Sequence, residues 1–442
     1  MAKKIKSIKI ANSFSNINDA VIFMVAYDIR NFKRNFYHFW EKTKIQDLLK
    51  NNHIIGITND NSIITKNAAC RYTVTYNSDR TVNSVDFDLG KKQKLTSELH
   101  DEINDMLPAI VLKSSAGSLL DKNYIDISWC FNLESFLVKI DSNIFQVDPI
   151  AFYMRNSIIV NYELINYKTG KPLNRDDICG RSNNYSLKNV NGVRYFDEVV
   201  FSDENRKISD IIFSNIMTFF EQTTKQKYKL IDYTYIHNVL VISNKIDNIN
   251  DFFCKVIGAQ LSNFVVNDIS ASPSFKYYIN ECIGVITNVS DDNVNRIMSD
   301  IQILEAYKMI LHLEMIVDYE VNNKLADIVN NQIYTGVLFY PGNVPIITLN
   351  LINEVKKTPT FIRFKEGVEF KINALNILQT RQKNKNGKLL NILLYILALL
   401  SSFQTLSVLE SEMALPFEVG FAIICIVFVA LGILWYVREN NK

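Results

Sequence analysis

Two C-terminal runs, Leu389 to Val408 and Val419 to Val437, contain no Asp, Glu, Lys or Arg. Each is long enough for a helix to cross a hydrocarbon layer of about 30 Å, and helices of soluble cores rarely stay uncharged over such a length. The pattern predicts a two-helix membrane hairpin over residues 389–442. Its connection, residues 409–418, carries Glu410, Glu412, Pro416 and Glu418 and reads as an outer turn in water. Arg381, Lys383, Lys385 and Lys388 precede the first run, and Arg438 and Lys442 follow the second. That bias predicts a multi-pass protein of the inner (cytoplasmic) membrane with both termini in the cytoplasm, and makes the lipid bilayer its first expected partner.

With 442 residues, 48% of them hydrophobic, the chain has room for two or three domains and a sizeable core. The formal charge of +2 gives no basic face of the kind that holds nucleic acid, so no direct nucleic-acid partner is expected. Cys70, Cys130, Cys179, Cys254, Cys282 and Cys425 form no Cys-x-x-Cys pair, which indicates neither a disulfide framework nor a zinc site. Met1 to Lys9 is basic but leads into polar residues without an apolar core segment, so no signal peptide is expected.

From Asn18 to about Cys282 the pattern alternates between strand and helix. Ala20 to Tyr27 is a continuous apolar run of strand length, and Phe36 to Lys50 follows with helical spacing. Tyr72-Val74-Tyr76 and Val85-Phe87-Leu89 alternate as half-buried strands do. Further strands are expected at Ala109 to Lys113, Tyr124 to Phe131, Phe136 to Ile140, Ser157 to Tyr167 and Val193 to Phe201, and a helix over Ile208 to Thr223. Lys229 to Tyr235 and Asn238 to Ser243 read as two strands joined by a tight turn at His237-Asn238. A helix-start cluster at Ser290 to Asn293 opens an apolar helical pattern that meets no Gly or Pro before Gly336. A second helical pattern starts after Pro359. The expected fold is therefore an α/β or α+β cytosolic domain over 1–290, as two lobes dividing near 190, followed by long stalk helices over 291–388 and the transmembrane hairpin over 389–442.

In its C-terminal third, residues 291–442, the chain resembles the CorA family of two-transmembrane divalent-cation channels. Leu378-Gln379-Thr380-Arg381-Gln382-Lys383-Asn384-Lys385, followed by Leu389-Leu390-Asn391-Ile392, is similar to that family's approach to its first span. The family's Gly-Met-Asn motif is missing, and Gln404 to Glu412 stand in its place. CorA-like proteins without the motif are associated with antiviral systems, including type III CRISPR loci, in which a nucleotide second messenger triggers a membrane effector. The resemblance implies a homo-oligomer, a pentamer in that family, with a nucleotide-type small-molecule ligand.

Motifs for catalysis are missing. No Gly-x-Gly-x-x-Gly, P-loop, His-Glu-x-x-His or Gly-x-Ser-x-Gly sequence occurs, so neither an enzymatic role nor a cofactor or bound metal is expected. His38 and His312 read as surface or packing residues. Asp86 and Asp88 share one side of a strand, which suits either a cation or a solvated face. Arg175, Arg181, Asn183 and Asn184 lie in polar loop sequence that reads as a phosphate-contacting loop or as a plain loop. Asn391, Ser401, Ser402, Gln404, Thr405 and Ser407 are the polar residues of the first run. They are expected either to line a pore or to hydrogen-bond between helices, with Glu410, Glu412 and Glu418 in the outer loop. Three functional expectations follow: a ligand-gated channel or membrane-disrupting effector, a membrane-tethered binding or scaffold protein, and a divalent-cation transporter.

Overall fold

A computed structural model describes residues 19–29, 55–57, 61–65, 69–76, 82–90, 96–121, 127–140, 143–155, 157–173, 175, 198–201, 204–224, 234–257, 266–289, 294–321, 339 and 341–370. Beyond these it describes 373, 374, 376, 377, 380, 394, 397, 401, 418–422, 425–427 and 429. The chain divides into two compact units, Met1–Glu366 and Gly367–Lys442.

The first unit is built around β1, Asp19–Asp28, whose sequence DAVIFMVAYD has no solvent-facing side. A strand apolar on both faces belongs in the middle of a sheet covered twice. β1 is bounded by β10, Ser157–Tyr162, and β14, Tyr235–Ser243, both antiparallel to it. The other strands are β2 (Gly56–Ile57), β3 (Ser62–Ile64), β4 (Ala69–Tyr76), β5 (Val82–Asp88), β6 (Ile127–Asn132), β7 (Phe136–Ile140), β8 (Asn143–Val147), β9 (Ile150–Met154), β11 (Leu164–Asn166), β12 (Glu198–Phe201), β13 (Glu204–Lys207), β15 (Lys276–Ile279) and β16 (Ile283–Thr287). Eleven of the strands form one sheet in the order β15-β16-β14-β1-β10-β9-β6-β2-β3-β4-β5. The β14–β16 pair is parallel.

Helices cover both faces. α1 (Ser97–Asp105), α2 (Leu107–Leu119), α5 (Val294–Val321) and α6 (Ile346–Val355) contribute to one apolar cluster with Ile22, Met24, Ala26, Leu240, Ile242 and Ile286. α3 (Ile208–Thr224) and α4 (Ile249–Ile257) contribute to the other with Val21, Phe23, Val25, Val239, Val241, Ile283 and Val285. Odd and even residues of β1 and β14 thus separate cleanly between the two cores, as a period of two requires. The small sheet β11-β8-β7 adds Val138, Phe145, Val147 and Leu164 to the second core.

This fold is mixed α/β and dominated by a large sheet, and several local expectations change. Ala109 to Lys113, expected as a strand for its Ile110-Val111 pair, lies inside α2, where Pro108 sits in the first turn; proline at a helix start is pre-organised for the helix. The turn expected at His237-Asn238 is absent, because β14 runs unbroken through it. The helix expected at Phe36 to Lys50 lies outside the described residues.

The transmembrane hairpin and the inner-membrane location are not supported. Among the described residues no helix is long and apolar enough to cross a membrane. The longest of them, α5 with 28 residues, carries Asp300, Glu305, Lys308 and Glu314 and packs against the sheet. Of the two uncharged runs, the described positions are 394, 397, 401, 419–422, 425–427 and 429; each is helical. The rest of both runs lies outside the described residues.

Candidate functional site: a polar seam beneath helix α5

Residues 303–315 of α5 are buried around the whole helix, as expected of a helix inside a core. Four acidic or basic residues nevertheless fall in that stretch, Glu305, Lys308, His312 and Glu314. Buried charge is tolerated only when it is paired and hydrogen-bonded, and strand register supplies the partners. Met24 of β1 stands opposite Asn161 of β10 on one side and Asn238 of β14 on the other. The two asparagines flank Met24 in one row, on the face α5 covers.

Asn161 Nδ2 donates to Gln302 Oε1 at 2.8 Å, and Asn238 Nδ2 donates to Glu305 Oε2 at 2.6 Å. Tyr277 donates its hydroxyl proton to Glu305 Oε1 at 2.6 Å. Lys308 Nζ lies 2.6 Å from Glu305 Oε2, with both side chains 0% exposed. It also donates to the carbonyls of Asn280 at 2.8 Å and Ile283 at 3.1 Å. Those contacts use all three ammonium protons. Gly284 completes the pocket for the carboxylate, since a Cβ there would overlap Glu305; a strand glycine often marks such a close approach.

His312 lies one turn beyond Lys308, with Nδ1 2.9 Å from the Lys308 carbonyl. A ring facing a carbonyl at Nδ1 carries its proton there. Nε2 is then a buried acceptor, and no hydrogen-bond partner reaches it among the described residues. Burial, and next the nearby Lys308 charge, push His312 down to about 4, so it is neutral at physiological pH. Burial, followed by the Glu305 charge, holds the Tyr277 phenol well above its ordinary range and keeps it a donor. Further along α5, Glu314 Oε1 lies 3.4 Å from Arg155 Nε in the β9–β10 turn, where Arg155 adopts φ 57°.

The seam extends outward through the β15–β16 hairpin. Lys308 holds its two ends, Asn280 and Ile283, from the core side. Between them Glu281 Oε1 accepts from the backbone amide of Thr360 at 3.3 Å. Thr360 lies in the first turn of a helix over residues 359–370. Thr358 caps that helix by accepting from Phe361 N at 3.3 Å, and Pro359 occupies its first position, both usual start signals. Phe361 also packs against Phe339 with ring centroids 4.9 Å apart.

Chemically this is a closed network. Both oxygens of Glu305 and every proton of Lys308 are engaged by protein, which suits positioning and coupling rather than proton transfer to a substrate.

Sequence-predicted residues fall elsewhere. Arg175 is tied to its own chain: Nη1 donates to the Lys245 carbonyl at 2.6 Å, and its amide donates to Asp19 Oδ1 at 3.3 Å. Arg181, Asn183 and Asn184 lie outside the described residues, as do Asn391, Ser402, Gln404, Thr405, Ser407, Glu410 and Glu412. Ser401 and Glu418 are helical and exposed. Asp86 is half-buried and Asp88 exposed on β5, with Asp88 accepting from the Gly90 amide at 3.0 Å. Among the described residues no group of three or more His, Cys, Asp or Glu is placed to hold a metal ion. Sequence reasoning missed Glu305, Lys308, Tyr277 and Asn238; the available signal was ionisable residues at i and i+3 inside an otherwise apolar helix. Comparison with protein-family models, with curated proteins and with solved structures gives no match.

Proposed function

We propose that the protein is a non-catalytic sensor, in which a small ligand bound by the first unit changes the state of the helix at 359–370. The observation that carries this reading is the connected path from the buried Glu305–Lys308 pair, through the β15–β16 hairpin, to Thr360. Residues 359–366 of this helix are the last of the first unit. Coupling between distant positions needs an element with two arrangements that both positions bias. A hairpin held by one buried side chain, and itself holding a helix start, is such an element. The resemblance to nucleotide-triggered effectors supplies the ligand class to try first. Hydrogen exchange of the full chain should be compared with and without mononucleotides and cyclic dinucleotides. A nucleotide that binds should raise the melting temperature and alter exchange over 359–366. If every nucleotide leaves both unchanged, the nucleotide sensor is wrong.

A second reading is favoured by the surface of the second unit. Phe370 is 75% exposed and Ile377 54%, seven residues apart, and Leu394, Leu397 and Ser401 recur at intervals of three and four. These are the spacings of helix-on-helix packing, and they fit a scaffold whose second unit self-associates with further copies of the chain. Light scattering should give a multiple of the chain mass, and Phe370→Lys with Ile377→Lys should lower it; a monomeric wild type would contradict the reading.

A further inference from the structure

We infer that Lys308 is a latch: its ammonium group holds the β15–β16 hairpin closed from inside the core, and opening it releases the first turn of the helix at 359–370. Regulation through this latch rests on the sensor reading above, but the latch itself does not.

The geometry separates two jobs on one helix. Glu314 ties α5 to Arg155 at the β9–β10 turn, which anchors the helix to the sheet. Lys308 sits six residues earlier, about 9 Å along the axis, and its ammonium group donates to backbone carbonyls of the hairpin, at Asn280 and Ile283. The Ile283 carbonyl also receives the Asn280 amide at 2.8 Å, so the hairpin closes on the atom Lys308 binds. Losing the ammonium group removes two charge-assisted bonds from a three-residue turn while the remainder of α5 keeps its apolar contacts and its second anchor. Glu281, at the tip, is then no longer held against Thr360 N, where a carboxylate also favours the positive end of the helix dipole. Opening is thus local to the hairpin and the first turn after Pro359.

Hydrogen exchange on the full chain without ligand tests this. In the double variant E305Q/K308M, the amide that replaces the Glu305 carboxylate still accepts from Tyr277 and no buried charge is left unpaired, so folding is retained where K308M alone risks losing it. Exchange at Asn280, Ile283 and Thr360 should rise about tenfold or more beyond any rise at the amides of α3, Ile208–Thr224, the loss of one charge-assisted bond. E281Q should raise exchange at Thr360 without raising it at Asn280. In the wild type itself, the hairpin and Thr360 should open together in mild denaturant, before α3. A uniform rise across the unit in the double variant, or wild-type opening of Thr360 independent of the hairpin, overturns the latch. Neither result depends on a nucleotide, so failure of ligand binding and failure of the latch are distinguishable.

Discussion

The carboxylate of Glu305 on α5 occupies the space that a side chain at position 284 on β16 would fill. Gly284→Ala must therefore push out either the methyl group or the carboxylate, and the carboxylate cannot move without leaving Tyr277, Asn238 and Lys308. Overpacking of a core costs about 1–3 kcal/mol, and loosened buried hydrogen bonds add to it. Urea denaturation of Gly284→Ala should show a loss of at least about 2 kcal/mol. A midpoint equal to the wild type would mean that Glu305 has another place to go.

Removing one member of a buried ion pair strands the other, at a cost of about 3–5 kcal/mol, whereas replacing both is far milder. Lys308→Met should be the more destabilising single change, since Glu305 then keeps two donors but no countercharge. Glu305→Gln with Lys308→Met should recover about half of that loss or more. Equal losses in the single and double variants would show that the pair does not act as a unit.

The buried imidazole of His312 sets a pH limit. Its ordinary value of 6.5 is lowered to about 4 in the fold, so the unfolded chain takes up the proton first as the solution is acidified. Stability from this residue is intact above pH 6.5 and is lost as pH falls toward 4, by about 3 kcal/mol in all. His312→Asn keeps a donor near the Lys308 carbonyl and does not titrate. Its stability should be flatter than the wild type between pH 6.5 and 4; an identical slope would assign the acid sensitivity to other groups.

Asp148 acts on two other carboxyls of the first unit. Asp105 is raised by burial, then by Asp101 and Asp148; Glu163 is raised by burial, then by Asp148. Raised carboxyls favour the fold at low pH and lose that contribution as pH rises through their folded values. Asp148→Asn should lower the titration midpoint of Glu163, followed by carboxyl-carbon NMR, and stabilise the protein at neutral pH by less than about 1 kcal/mol. Unchanged titration of Glu163 would place Asp148 outside its field.

Legibility in the sequence followed how local the determinant was. β1 was readable because its burial on both faces is written as an unbroken apolar run, and α3 because its helical spacing lies within 17 residues. α2 was misread because Ile110-Val111 carries strand preference, while the context that overrides it, packing against α5, is far away in sequence. The error at His237-Asn238 bears on the site itself. The His237-Asn238 pair suggests a turn, yet Asn238 lies inside β14, where its side chain donates to Glu305, 67 residues later. The uncharged C-terminal runs fulfil the length rule for a membrane span as sequence, but no described helix meets it.

The latch makes Lys308 and the Glu281–Thr360 contact one coupled element. The direct measurement is a double-mutant cycle on the opening free energy of the Thr360 amide, by hydrogen exchange, comparing the wild type with the paired change E305Q/K308M, with E281Q, and with all three substitutions together. If the hairpin couples the two positions, their effects fall short of additivity by at least about 0.5 kcal/mol, because the first change already frees the helix start. Effects that add within about 0.3 kcal/mol would contradict the account and leave two independent anchors.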